Sequence, residues 1–117
     1  MPVTIDDAAF DEAVSDALDA VPPELMALLD NVVFLAEAEP PADGPELLGL
    51  YVGVPLTERG WGSAGLLPDR IYLFRGPLSR HCDDLDELRD EITVTVVHEI
   101  AHHFGIDDER LHSMGWG

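Results

Sequence analysis

The chain has 117 residues, 46% hydrophobic and 26% charged, which are ordinary proportions for one globular domain spanning residues 1–117. Six basic residues against twenty-four acidic ones give a net charge of −18, which disfavours binding to nucleic acid or to anionic membranes. The sequence has no apolar run of about 18 residues and no basic leader followed by an apolar stretch, so we expect a cytoplasmic protein without a membrane span.

Two helices and a strand are predicted in the first third of the chain. Thr4 is a suitable N-cap for a helix over residues 5–20, which has acidic residues in its first turn and an apolar stripe at helical spacing. A proline pair ends this helix, and Pro23 is suited to begin a short helix over residues 23–29. Alternation of apolar and polar residues then predicts a strand over residues 32–39.

The middle of the chain predicts two more strands, over residues 47–54 and 70–75, with Gly76 and Pro77 ending the second one. Residues 55–69 are rich in glycine and proline, and a loop of this length in a small domain is often functional.

A long helix is predicted over residues 85–104, with Asp84 as its N-cap. The β-branched residues between 92 and 97 favour a strand by propensity, but the good helix formers of residues 87–91 and the motif that follows favour a helix. The combined elements predict an α+β fold: an N-terminal helix, a three-stranded sheet and a long helix that carries the motif.

This motif is H-E-x-x-H-x-x-G-x-x-D, formed by His98, Glu99, His102, Gly105 and Asp108. Histidines four residues apart on a helix lie about 40° apart around its axis, so both rings can reach one metal ion. Gly105 is suited to end the helix in a left-handed turn and return Asp108 to the metal as a third ligand. Two histidines, a carboxylate and an open water position describe a hydrolytic zinc site, with Glu99 placed to act on the water.

Other side chains near the motif leave the third ligand open. Asp107, Glu109 and His112 are all close enough in sequence to replace Asp108. His103 lies about 140° from His98 around the helix, so we expect it to face away from the metal, in the core or orienting a neighbour. Cys82, the single cysteine, has acidic neighbours that disfavour a thiolate, and we expect no catalytic role for it.

The motif resembles that of the zincin metallopeptidases, in particular the metzincins, which have a glycine after H-E-x-x-H. Metzincins usually have histidine where this chain has Asp108, and their methionine turn lies farther downstream than Met114 does here. Residues 48–59, 67–75 and 97–105 are similar to stretches of a family of small bacterial zincin-like proteins described as predicted minimal metallopeptidases. The resemblance implies that His98, His102 and Asp108 are zinc ligands and that Glu99 is the general base. It also implies that an extended substrate binds along an edge strand, for which residues 47–54 and residues 70–75 are both candidates.

The sequence therefore predicts a zinc-dependent metallopeptidase that hydrolyses peptide bonds with a zinc-activated water and acts on a peptide or protein substrate. The alternative is a non-catalytic domain of the same fold that binds zinc or holds a peptide without cutting it. Tyr51 and Tyr72 are candidates for stabilising an oxyanion, but nothing in the sequence selects either of them.

Overall fold

The computed structural model describes residues 3–29, 31–55 and 67–113, without the side chains of Asp108, Leu111 and His112. Helices and a three-stranded mixed sheet give these residues the predicted α+β fold. The central strand of the sheet is parallel to one neighbour and antiparallel to the other, in the order β1-β3-β2. None of the described helices is both long and apolar enough to cross a membrane. The elements in chain order are α1 (Asp7–Ala20), α2 (Pro23–Met26), β1 (Val32–Glu37), β2 (Gly49–Val52), β3 (Asp69–Phe74), α3 (Arg75–Arg80), α4 (Leu85–His103) and α5 (Asp108–Ser113).

The first helix begins later than predicted, because Asp6 and not Thr4 is its N-cap. The Asp6 carboxylate accepts a hydrogen bond of 2.8 Å from the backbone N–H of Ala9, and its negative charge also favours the helix N-terminus. The residues before it are bound elsewhere, since the N–H of Val3 donates to the carbonyl of Cys82 at 2.9 Å. This long-range bond holds the start of the chain beside the end of α3.

The last predicted strand also ends early, at Phe74, and α3 follows it directly at Arg75. Gly76 and Pro77 were expected to end this strand, and both lie in the first turn of the helix that follows it. Proline is compatible with that position because the first turn of a helix has no internal partner for its N–H groups. The N–H of Gly76 donates instead to the carbonyl of Ala38, at 2.8 Å.

The other boundaries differ by a few residues. The strand predicted over 32–39 ends at Glu37, the strand predicted over 47–54 is confined to Gly49–Val52, and the short helix ends at Met26. Most of the loop predicted over 55–69 lies outside the described residues, so its proposed functional role stays a prediction.

The long helix α4 is confirmed, and its N-cap is the predicted Asp84, which accepts a 2.8 Å hydrogen bond from the N–H of Glu87. The β-branched segment is helical because tertiary packing overrides its propensity. One stripe of the helix is buried against α1 and the sheet, so burial of apolar area supplies the stability. The fully buried apolar members of this core on α4 and β3 are Ile71, Leu73, Leu88, Ile92, Val96 and Ile100.

Candidate metal centre

Three side chains of the motif come together on the last turns of α4. The ligating atoms of His98, Glu99 and His102 all lie within 4.8 Å of one another. The two imidazole rings have centroids 4.7 Å apart and are perpendicular, so their edges approach without stacking. Both histidines are partly exposed, whereas Glu99 is buried. The helical spacing thus produces the predicted grouping, with donor atoms that can approach a single ion.

The backbone fixes which nitrogen of His102 is suited to bind a metal. The Nδ1 atom of His102 lies 2.9 Å from the carbonyl oxygen of Ile106. A carbonyl oxygen only accepts hydrogen bonds, so Nδ1 must carry the proton and donate it. The neutral ring then has its lone pair on Nε2. Metal-binding histidines commonly have this arrangement, in which the second nitrogen donates to a carbonyl or carboxylate.

The contact between His102 and Ile106 depends on the turn at Gly105. Gly105 has a φ of 85°, in the left-handed region that glycine enters without steric cost. The N–H of Gly105 donates to the carbonyl of His102 at 2.9 Å, and the N–H of Ile106 donates to that of Ala101 at 3.0 Å. These two bonds form a Schellman motif, which ends the helix and reverses the chain as predicted for this glycine.

The third predicted ligand, Asp108, is the first residue of α5, directly beyond this turn. Its side chain lies outside the described part of the structure, as does that of His112, so both stay candidate ligands from sequence. Asp107 has another role, because its carboxylate accepts a 2.9 Å hydrogen bond from the N–H of Arg110. This bond makes Asp107 an N-cap of α5, which weakens the case for it as the alternative ligand.

Glu99 lies in a tight space between α4 and β2. Only 7% of the residue is exposed. A Cβ atom added at Gly49 would lie 3.3 Å from the Cγ of Glu99 and 2.8 Å from the Cγ2 of Thr95. Because Gly49 has no side chain, β2 can approach α4 closely beside the Cγ of Glu99. A glycine inside a strand often marks such a close approach of two backbone segments.

His103 is fully buried, and its Nδ1 lies 2.8 Å from the Oδ2 of Asp69, the first residue of β3. The hydroxyl of Tyr51 donates to the same carboxylate oxygen at 2.5 Å. The expected core position of His103 is therefore correct, but sequence reasoning missed Asp69. Its neighbours Pro68 and Arg70 gave no signal of burial, and its partners are distant in sequence.

Tyr51 and Tyr72 lie on opposite faces of the sheet. Residues paired across two strands share a face, whereas consecutive residues of one strand point to opposite faces. Tyr51 pairs in register with the buried Ile71, and its ring approaches that of His103 edge-on at 5.9 Å. Tyr72 alternates with Ile71 and Leu73, and its hydroxyl accepts a 3.1 Å hydrogen bond from Arg70. Tyr72 is thus directed away from the helix that carries the motif.

Cys82 is buried, and its thiol lacks the low pKa of a nucleophilic cysteine. Burial raises the pKa of its thiol, and the carboxylates of Glu87, Glu91 and Asp84 raise it further. A neutral thiol in the core fits the expectation that this residue has no catalytic role.

A helix that carries H-E-x-x-H and packs against a small mixed sheet defines a zincin-like domain. A sequence profile of zincin-like metallopeptidases matches residues 29–116, so the chain belongs to the zincin-like metallopeptidase family. A solved structure of a conserved hypothetical protein from Thermus thermophilus is similar, with a TM-score of 0.56 and 26% sequence identity. The alignment covers 92% of this chain and 95% of that one. None of the curated proteins compared with the sequence matches it.

Proposed function

We propose that this protein is a zinc-dependent metallopeptidase. The observation that carries the proposal is the clustering of His98, Glu99 and His102, with donor atoms within 4.8 Å of one another, in a member of the zincin-like family. Two neutral imidazoles and one carboxylate, which in this proposal is not that of Glu99, are a donor set that suits zinc. In the proposal His98 and His102 hold the ion, and Asp108 completes the ligand set from beyond the Gly105 turn.

Bound zinc would polarise the scissile carbonyl and lower the pKa of a water molecule. Glu99 would accept the proton of the attacking water and return it to the leaving amine. Its burial supports this role, because a carboxylate with little exposure to solvent interacts more strongly with developing charge than one in bulk water. The hydrogen bond from His102 to Ile106 would hold the imidazole in the tautomer that leaves Nε2 for the metal.

The substrate would bind as an extended chain along β2. Of the two candidate segments, residues 70–75 are disfavoured because β3 has a neighbour on each side. β2 is the outer strand at one edge of the described sheet, and it contacts α4 at Gly49, next to Glu99. A peptide that adds to this edge would pair through its main chain, which places its carbonyl groups beside the motif helix.

The test is the variant Glu99→Gln, assayed with a library of fluorescence-quenched peptides and by elemental analysis. We expect zinc content to be unchanged and hydrolysis to fall by a factor of about 10² to 10⁴, the usual contribution of a general base. Glu91→Gln is the matched control, because it removes the same charge from the same helix away from the motif. Glu91→Gln should retain wild-type hydrolysis.

Wild-type rates in Glu99→Gln would exclude Glu99 as the base. A wild-type protein that binds zinc but cleaves no peptide of the library would instead assign the chain to non-catalytic zinc binding.

A further inference from the structure

The buried carboxylate of Asp69 lies where it can control the orientation of the helix that carries the motif. We propose that Asp69 is a positioning residue, which acts through His103 to fix the rotation of the last turns of α4 and thereby the geometry of the two histidine ligands. This inference rests on the proposed zinc site, and it adds a residue that lies outside the motif.

The contacts join three elements at one carboxylate. Asp69 belongs to β3, Tyr51 to β2 and His103 to α4, and both partners bind the same oxygen, Oδ2, at 2.5 and 2.8 Å. The His103 side chain is fully buried and that of Asp69 is 7% exposed. The backbone of Asp69 is itself fixed, because its N–H donates to the carbonyl of Asn31 at 2.8 Å. The Asp69 carboxylate is thus attached to a backbone position that the sheet holds in place.

The site of attachment on α4 makes the contact sensitive to rotation. His103 directly follows His102, and it lies four residues after Glu99, so Glu99 and His103 share the face of the helix that meets the sheet. A ligand atom about 6 Å from the helix axis moves by about 1 Å when the helix turns by roughly 10°. Metal sites require their ligands within about 0.5 Å of the productive position, so a small rotation is enough to weaken binding.

The apolar core is less suited to set this angle. Leu88, Ile92 and Val96 pack against their neighbours through dispersion and area burial, which depend little on direction. A hydrogen bond to a charged acceptor is short and directional, and it weakens steeply as the angle departs from linear. The bond from His103 to Asp69 therefore adds angular definition at the end of the helix, close to both predicted histidine ligands.

The experiment compares the affinity for zinc and the visible spectrum of the Co²⁺-substituted protein in wild type, Asp69→Asn and Tyr51→Phe. Asp69→Asn retains the shape of the side chain but replaces one acceptor oxygen with a donor. We expect zinc affinity to fall by a factor of about 10, the lower limit for residues that hydrogen-bond directly to a metal ligand, because Asp69 acts through His103. The Co²⁺ absorption bands should also shift. Tyr51→Phe removes one hydroxyl and retains the ring, so its effect should be in the same direction and smaller.

Ile92→Val is the control for lost stability. Ile92 is fully buried on α4 but lies upstream of the motif, so its truncation lowers the melting temperature without touching the network. We expect its zinc affinity to stay within about twofold of wild type and its Co²⁺ spectrum to be unchanged, as for independent sites.

Wild-type affinity and spectrum in Asp69→Asn would overturn the inference while leaving the proposed function intact. Equal losses of affinity in Asp69→Asn and Ile92→Val would also overturn it, because the effect would then follow stability. If Asp69→Asn fails to fold by circular dichroism, Tyr51→Phe decides by the same two readouts. A wild-type chain that binds neither zinc nor cobalt would overturn the proposed function itself, and the inference with it.

Discussion

Replacing Gly49 with alanine would place a methyl group against the helix that carries the motif. The added Cβ would lie 2.8 Å from the Cγ2 of Thr95 and 3.0 Å from the backbone oxygen of Tyr72, where ordinary contacts begin near 3.4 Å. Helix and strand would have to separate by several tenths of an ångström. Overpacking of this kind costs about 1–3 kcal/mol, and the lower entropy of the unfolded alanine chain offsets about 0.4–1 kcal/mol.

The net expectation is a loss of about 1–2 kcal/mol in the free energy of unfolding, or a decrease of about 4–8 °C in Tm for a chain of this length. Thermal unfolding followed by circular dichroism measures this change. Gly44→Ala is the matched control, because a Cβ there meets only the oxygen of Pro41 at an ordinary 3.8 Å. Its Tm should stay within about 2 °C of wild type, as for a surface substitution.

A second variant tests the cause of the decrease. Thr95→Ser removes the methyl group that clashes with the added Cβ. Thr95→Ser should therefore lower the Tm less in the Gly49→Ala background than in the wild-type background. A Gly49→Ala protein with unchanged or higher Tm would refute the close packing of β2 against α4. Strict additivity of the two substitutions would refute the contact with Thr95.

Three further predictions concern other parts of the molecule. Because burial raises the pKa of its thiol, Cys82 should react slowly with a thiol reagent at pH 8 in the native protein and rapidly in denaturant, and rapid native labelling would contradict its burial. Arg80 donates hydrogen bonds to Glu39 and lowers the pKa of that carboxyl below its ordinary 4.5. The stabilisation by Glu39 is therefore present above pH 4.5 and lost as the pH falls through the lower folded value. Glu39→Gln should reduce Tm slightly at pH 7 and progressively less as the pH is lowered below 4.5, and an effect that does not change with pH would disagree. Asp84→Ala should cost about 1 kcal/mol in urea unfolding because it removes the N-cap of α4, and a wild-type midpoint would show that the cap contributes nothing.

The helix of the motif was predictable because several local signals agree. Asp84 supplies a cap, the H-E-x-x-H spacing requires a helix, and Gly105 ends it with a left-handed residue. The start of α1 was not predictable in the same way, since Thr4 and Asp6 are both good N-caps. The residues before Asp6 also make tertiary contacts, such as the hydrogen bond from Val3 to Cys82, which joins distant parts of the chain and leaves no local signal in the sequence.

The site shows the same division between local and long-range information. The grouping of His98, Glu99 and His102 follows from helical spacing, which the sequence contains in full. The role of Asp69 depends on which residues the fold brings to it, namely Tyr51 from a neighbouring strand and His103 from α4. Its local sequence is that of a solvated turn, so periodicity and motif spacing gave no reason to select it.

The central claim is that this helix binds zinc, and elemental analysis of the purified protein tests it most directly. The experiment compares wild type with His102→Ala and with His81→Ala, a control in which an exposed histidine outside the motif is removed. After zinc is supplied and excess is dialysed away, we expect about one zinc ion per chain in wild type and His81→Ala, and none in His102→Ala. Absence of zinc in wild type, or full retention in His102→Ala, would contradict the account.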